Sequence, residues 1–156
     1  MRTSGLGLSG LMSTIGSAIP VAEKSRPSKC MMLDEAGLTF PSYGLIATEA
    51  TIAERAEDLA RLVAVEQRAW AAIRDDLDLG VEAIIAQRPD ANLDPDILRE
   101  QIRITLDYFD TPATAGKPIG WQAREDWEKA LQGMEKAGLI GPGWNPDDYF
   151  TNDLVQ

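Results

Sequence analysis

The strongest constraint on this chain is a helical pattern that begins near residue 51 and runs for more than twenty residues. Ile52, Ala56, Leu59, Val63, Trp70 and Ile73 recur at three-, four- or seven-residue steps. Glu54, Arg55, Glu57, Asp58, Arg61 and Arg68 fill the other side. Such spacing puts the apolar side chains on one face of a helix and the charges on the opposite one, so one face is built to be buried. Thr51 and Glu54 have the spacing of a capping box, which predicts that the helix starts at Thr51. Just before it, Tyr43, Leu45 and Ile46 form a short apolar run closed by Thr48 and Glu49, which reads as a buried strand.

Further helices follow. Asp76 or Asp78 can cap a second one through Val81, Ile84 and Ile85, stopping before Pro89. A third opens with Asp94 as cap, Pro95 in the first helical position and Asp96 in the first turn, where the helix dipole favours negative charge. Its apolar face is Ile97, Leu98, Ile102, Leu106 and Phe109. Residues 110 to 120, rich in Pro, Thr and Gly, read as a loop. A fourth helix, roughly 122 to 137, buries Trp127, Leu131 and Met134 and ends at Gly138. Upstream, Cys30 to Leu33 reads as another short strand, Asp34 to Gly37 as a turn and Pro41-Ser42 as a break. The expectation is a mainly α chain of about four helices plus one or two short strands.

The wording of several stretches is more specific than their periodicity. PSKCMMLDEAGLTFPSYGLIATEATIAER, GWQAREDWEKALQGMEKAGLI and WNPDDYFTNDLV occur in this order. Together they resemble the carboxy-terminal part of substrate-binding proteins of ABC importers, in the nitrate, sulfonate, taurine and thiamine-pyrimidine group. The resemblance covers roughly residues 25 to 156. It implies that the helices are part of an α/β fold of the type II periplasmic-binding-protein kind, located in the periplasm. Its partners would be a small-molecule ligand and an ABC permease, with a missing lobe on another chain as a further candidate.

At 156 residues the chain is long enough for one domain with a core, and short for the two lobes of such a protein. The expected division is a weakly ordered leader over residues 1 to 24 and the carboxy-terminal portion of a solute-binding protein over residues 25 to 156. Arg2 and the small residues Gly16, Ser17 and Ala18 sketch an export signal, but Gly and Ser interrupt its apolar region. In the family, the segment at the second crossing between lobes borders the ligand cleft. Carried over by position, the resemblance nominates Phe40, Ser42 and Tyr43 as ligand-binding residues. Tyr43 can stack on a flat ligand or donate its hydroxyl to an anionic one, although filling space under the long helix is the favoured account.

Catalysis is poorly supported. The chain has no histidine, which removes Ser-His-Asp and Cys-His sites, His-based zinc sites and the usual neutral-pH general base. The pyrimidine-forming enzymes related to this family depend on histidine and a cofactor-binding lysine, so the resemblance implies no such activity here. Neither enzyme activity, nor cofactor, nor metal is expected. Fifteen basic against 25 acidic residues give a formal charge of -10, which argues against nucleic acid as a partner. Cys30 is the single cysteine and forms no internal disulfide.

Other chemistry-like groups have plainer readings. Trp121, Trp127 and Trp144 with Tyr149, Phe150 and Asn152 read as core packing and anchoring of the last segment. Asp147, Asp148 and Asp153 lack the order of a calcium loop and read as solvated caps. Asp75, Asp76 and Asp78, and Glu125, Asp126 and Glu128, read as helix-end charges. Gly116-Lys117 lacks the preceding glycine spacing of a phosphate loop.

Overall fold

A computed structural model describes residues 44 to 156. The leader, the Cys30 to Leu33 run and the candidate residues Phe40, Ser42 and Tyr43 lie outside them. Among the described residues there are five α-helices and no strand: α1 (Glu49–Glu54), α2 (Ala56–Asp75), α3 (Leu77–Gln87), α4 (Pro95–Asp107) and α5 (Arg124–Lys136). Two single-turn 3-10 helices, Pro89–Ala91 and Pro146–Asp148, complete the order.

The chain enters differently from the sequence expectation. Leu45 and Ile46 form no strand, and Ile46 is 69% exposed. A lone apolar run has no ladder partner among the described residues, so its backbone gains nothing from the extended state that water does not also supply. The helix starts earlier than Thr51: Thr48 is the cap, its Oγ1 accepting the Thr51 N–H at 3.1 Å and pairing with the Thr51 hydroxyl at 2.8 Å. The long helical pattern is also broken at Arg55, which leaves helical geometry with φ -128° and ψ 31°. On either side, Arg55 N–H still bonds Thr51 O at 2.9 Å and Leu59 N–H bonds Arg55 O at 3.0 Å. Thus four expected helices become five.

The later boundaries follow their local chemistry. Asp76 rather than Asp78 caps α3, accepting the Asp78 N–H at 3.0 Å. Asp94 Oδ1 caps α4 through the Asp96 and Ile97 amides at 3.0 and 3.4 Å, with Pro95 in the first turn. At the end of α5, Gly138 takes φ +70°. Its N–H bonds Glu135 O, and the Leu139 N–H bonds Met134 O, both at 2.9 Å. That pair of bonds is a Schellman motif, which satisfies carbonyls the helix leaves free.

The core forms where α2, α3 and α4 meet. Trp70, Val81, Leu98 and Ile102 are buried together, with Ile73, Leu77, Ile84, Leu106, Phe109 and Ile119 packed around them. Phe109 meets Trp70 edge to face, with ring centroids 4.7 Å apart. Gly80 of α3 faces side chains of both neighbouring helices: a Cβ there would stand 2.9 Å from Ile102 Cδ1 and 3.3 Å from Ile73 Cγ2. Apart from this cluster, Ala130 and Leu131 of α5 and Leu154 of the tail are also buried. Trp127 and Met134, expected in the core of the fourth helix, are half-buried.

Candidate functional site

The last segment of the chain is held by specific polar bonds. Asn152 makes a two-point bond to the Gln122 backbone, accepting its N–H and donating to its carbonyl, each at 2.9 Å. Trp127 stacks on Phe150 and on Tyr149, with centroids 6.0 and 5.9 Å away, while its indole N–H donates to Gln122 Oε1 at 3.0 Å. Trp144 Nε1 donates to Glu135 Oε2 at 2.6 Å. Arg124 bridges Glu128 at 3.0 Å and pairs with Asp147 across the turn. Asp147 holds the Arg124 guanidinium above its ordinary pKa, chiefly by hydrogen bonding. The aromatic residues of this region therefore anchor the tail. Asp147 is an ion-pair partner rather than a freely solvated cap.

Anchoring returns the tail to α2. Gln67, on the face of α2, donates its side-chain amide to the carbonyl oxygens of Ile119 at 2.9 Å and Gln156 at 3.2 Å. Between these parts lies a groove of about 370 Å³. Leu45 to Thr48 line it, and so do Leu59, Leu62, Val63, Glu66 and Trp70 of α2 on one wall. Ile119, Gln122, Thr151, Leu154 and Val155 form the other. The groove is predominantly apolar, and no Lys or Arg is among the described residues lining it.

This groove was not legible as a site in the sequence. Its walls come from segments far apart in the chain, residues 59 to 70 and residues 119 to 155, and every side chain on α2 reads as ordinary helix face. The nominated Phe40, Ser42 and Tyr43 lie outside the described residues, directly before the Leu45 to Thr48 segment that lines the groove.

A second depression, about 450 Å³, lies between α2 and α4. Arg74, Arg103, Asp107 and Asp110 surround Leu77 and Leu106 there. Its charges neutralise one another: Arg103 bridges Asp107 at 3.0 Å, and Arg74 bridges Asp110 at 3.4 Å. Several of the acidic groups noticed in the sequence are also partnered. Asp78 pairs with Arg99, whose pKa it raises, and Asp76 is a cap. Asp126 is a first-turn charge of α5, as expected, but it is buried, 7% exposed, and accepts the Thr111 hydroxyl at 2.6 Å. Among the described residues, no group of three His, Cys, Asp or Glu side chains is arranged to hold a metal.

Comparison with protein-family models, with characterised proteins and with solved structures finds no match to this chain.

Proposed function

We propose that this chain is the carboxy-terminal part of the substrate-binding component of an ABC importer, without catalytic activity of its own. The ligand class is small molecules such as nitrate, sulfonates, taurine or thiamine pyrimidines, and the place of action is the periplasm. In this reading the helices belong to a type II periplasmic-binding fold, whose sheet comes from outside residues 44 to 156. An intact relative closes two lobes on its ligand by hinge motion and presents the closed form to a membrane permease. The reading rests on motifs that share one order along the chain. Its geometric support is that the stretch following the nominated Tyr43 and the tail carrying the WNPDDYFTNDLV motif come together along one groove; the groove itself, with Glu66 and no Lys or Arg in its described lining, is not assigned to nitrate or sulfonates.

The test is the DNA upstream of Met1, read for about a domain's length. A frame encoding strands and an export signal, joined through a frameshift or a misplaced start, is the expected result. Unrelated sequence with its own promoter overturns the proposal. A half-site offers few contacts, so calorimetry on the full chain should find only millimolar or weaker binding of taurine, nitrate or a hydroxymethylpyrimidine.

One observation favours a second reading, a helical interaction module whose apolar face meets another chain. Ile46, Leu62 and Val65 are 69%, 43% and 52% exposed, where a stand-alone domain adapted to water covers such side chains. Light scattering on the purified chain separates the readings further: a discrete self-assembly with no ligand bound favours the module.

A further inference from the structure

The groove has a chemical signature that does not depend on the import reading. A polar side chain beside apolar walls is costly unless it is hydrogen-bonded, so each one lining the groove should have a partner. Thr48 and Thr51 pair with each other. Gln67 spends its amide on two carbonyls, and Gln122 Oε1 accepts the Trp127 indole. Thr151 Oγ1 accepts the Asp153 N–H at 3.2 Å. Glu66 is the charged exception, and the Trp70 indole N–H likewise donates to no described residue. Glu66 is half-buried, and its side chain makes no hydrogen bond or ion pair with any described residue.

Its position sharpens the point. Leu59, Leu62, Val63, Glu66 and Trp70 follow helical spacing, so Glu66 occupies the middle of the apolar stripe of α2. The Glu66 residue is half-buried there, and no cationic side chain of the described lining faces it. A volume of about 370 Å³ lies within the range that holds a small ligand, roughly 300 to 1,000 Å³.

We propose that the groove binds small molecules with an apolar body and one ammonium head. The Glu66 carboxylate accepts the ammonium hydrogens, while Leu62, Val63 and Trp70 hold the body. Anionic heads meet Glu66 as a like charge and are rejected, a selection that electrostatic complementarity imposes.

The experiment is an amide and indole chemical-shift titration of the full chain with three isosteric probes: 3-phenylpropylammonium, 3-phenylpropanol and 3-phenylpropanoate. Shifts at Leu62, Val63 and Trp70 should saturate with the ammonium probe at least about fivefold more tightly than with the alcohol, the size expected of one partly exposed charge pair. The carboxylate should bind weakest. Glu66→Gln should bring the ammonium probe to the level of the alcohol, and Glu66→Lys should transfer the preference to the carboxylate. Equal affinity for ammonium and alcohol, an unchanged preference in either variant, or no shift at the groove with any probe overturns the proposal. The three-probe comparison on the unaltered chain stands even if a variant fails to fold.

Discussion

Gly80 sits in the middle of α3, where glycine ordinarily costs about 1 kcal/mol relative to alanine. Propensity alone therefore says that Gly80→Ala should stabilise the protein. Packing says the opposite, because the added methyl would stand 2.9 Å from Ile102 Cδ1, and Ile102 is 2% exposed with little room to turn. Overpacking costs about 1 to 3 kcal/mol, so it outweighs the propensity gain. Urea denaturation of Gly80→Ala should show a net loss of about 1 kcal/mol, and of Gly80→Val a larger one. A more stable alanine variant would mean that α3 and α4 move apart at little cost. The sequence shows a glycine in a helical pattern, but the neighbours that require it come from α2 and α4. Asp126 and Glu66 escape sequence reading for the same reason. The Thr111 hydroxyl that accompanies Asp126 into the interior, and the groove around Glu66, are made by distant segments.

Elements were legible wherever their ends are decided by chemistry within three or four residues. Asp94 with Pro95 fixes the start of α4, and Gly138 fixes the end of α5, as local cap geometry requires. Asp94→Ala should cost about 1 kcal/mol, and Gly138→Ala about as much because alanine must adopt φ +70°. Both sites are exposed, so a fall in the denaturation midpoint reports the cap itself. An unchanged midpoint would show that tertiary packing alone holds the end. The break at Arg55 was not legible, since hydrogen bonds continue on both sides and no Gly or Pro marks it. Nor was the absence of a strand at Leu45 and Ile46, because a strand is a property of two segments and an apolar run records only one. The exposed face of α4 gives a pH dependence. Arg103 donates to Glu100 at 2.7 Å and holds its carboxyl below the usual value, mainly through that hydrogen bond. A depressed folded pKa stabilises above the unfolded pKa and is lost as pH falls through the folded one. Thermal scans from about pH 5 down to about pH 3 should therefore show a decline that Arg103→Gln makes shallower. The effect is small, as befits an exposed pair. An identical slope in the variant would assign the decline to other carboxylates.

The molecule as a whole joins two apolar regions by a small number of polar links. One surrounds Trp70, Val81, Leu98 and Ile102, and the other is where Trp127 of α5 stacks on Tyr149 and Phe150 of the tail. Gln67 ties α2 to Ile119 and Gln156, while Thr111, just beyond α4, holds Asp126 at the start of α5. Helix periodicity supplied the apolar faces but not their pairing, because the loop between α4 and α5 allows several ways of folding α5 back. The Thr111–Asp126 bond is one of the contacts that selects among them. Thr111→Val keeps the shape and removes the hydroxyl, leaving a carboxylate that is 7% exposed with Lys129 at 3.8 Å as its remaining charged neighbour. Losing a hydrogen bond to a charged group costs about 1.5 to 3 kcal/mol. If the two regions open separately, amide exchange in Thr111→Val should quicken over α5 and the tail, while α4 keeps its protection. Equal acceleration in α4 and α5 would show a single cooperative unit, with the groove inseparable from the core. Unchanged exchange in both would mean that the hydroxyl is dispensable and that stacking of Trp127 on Tyr149 and Phe150 suffices to place the tail.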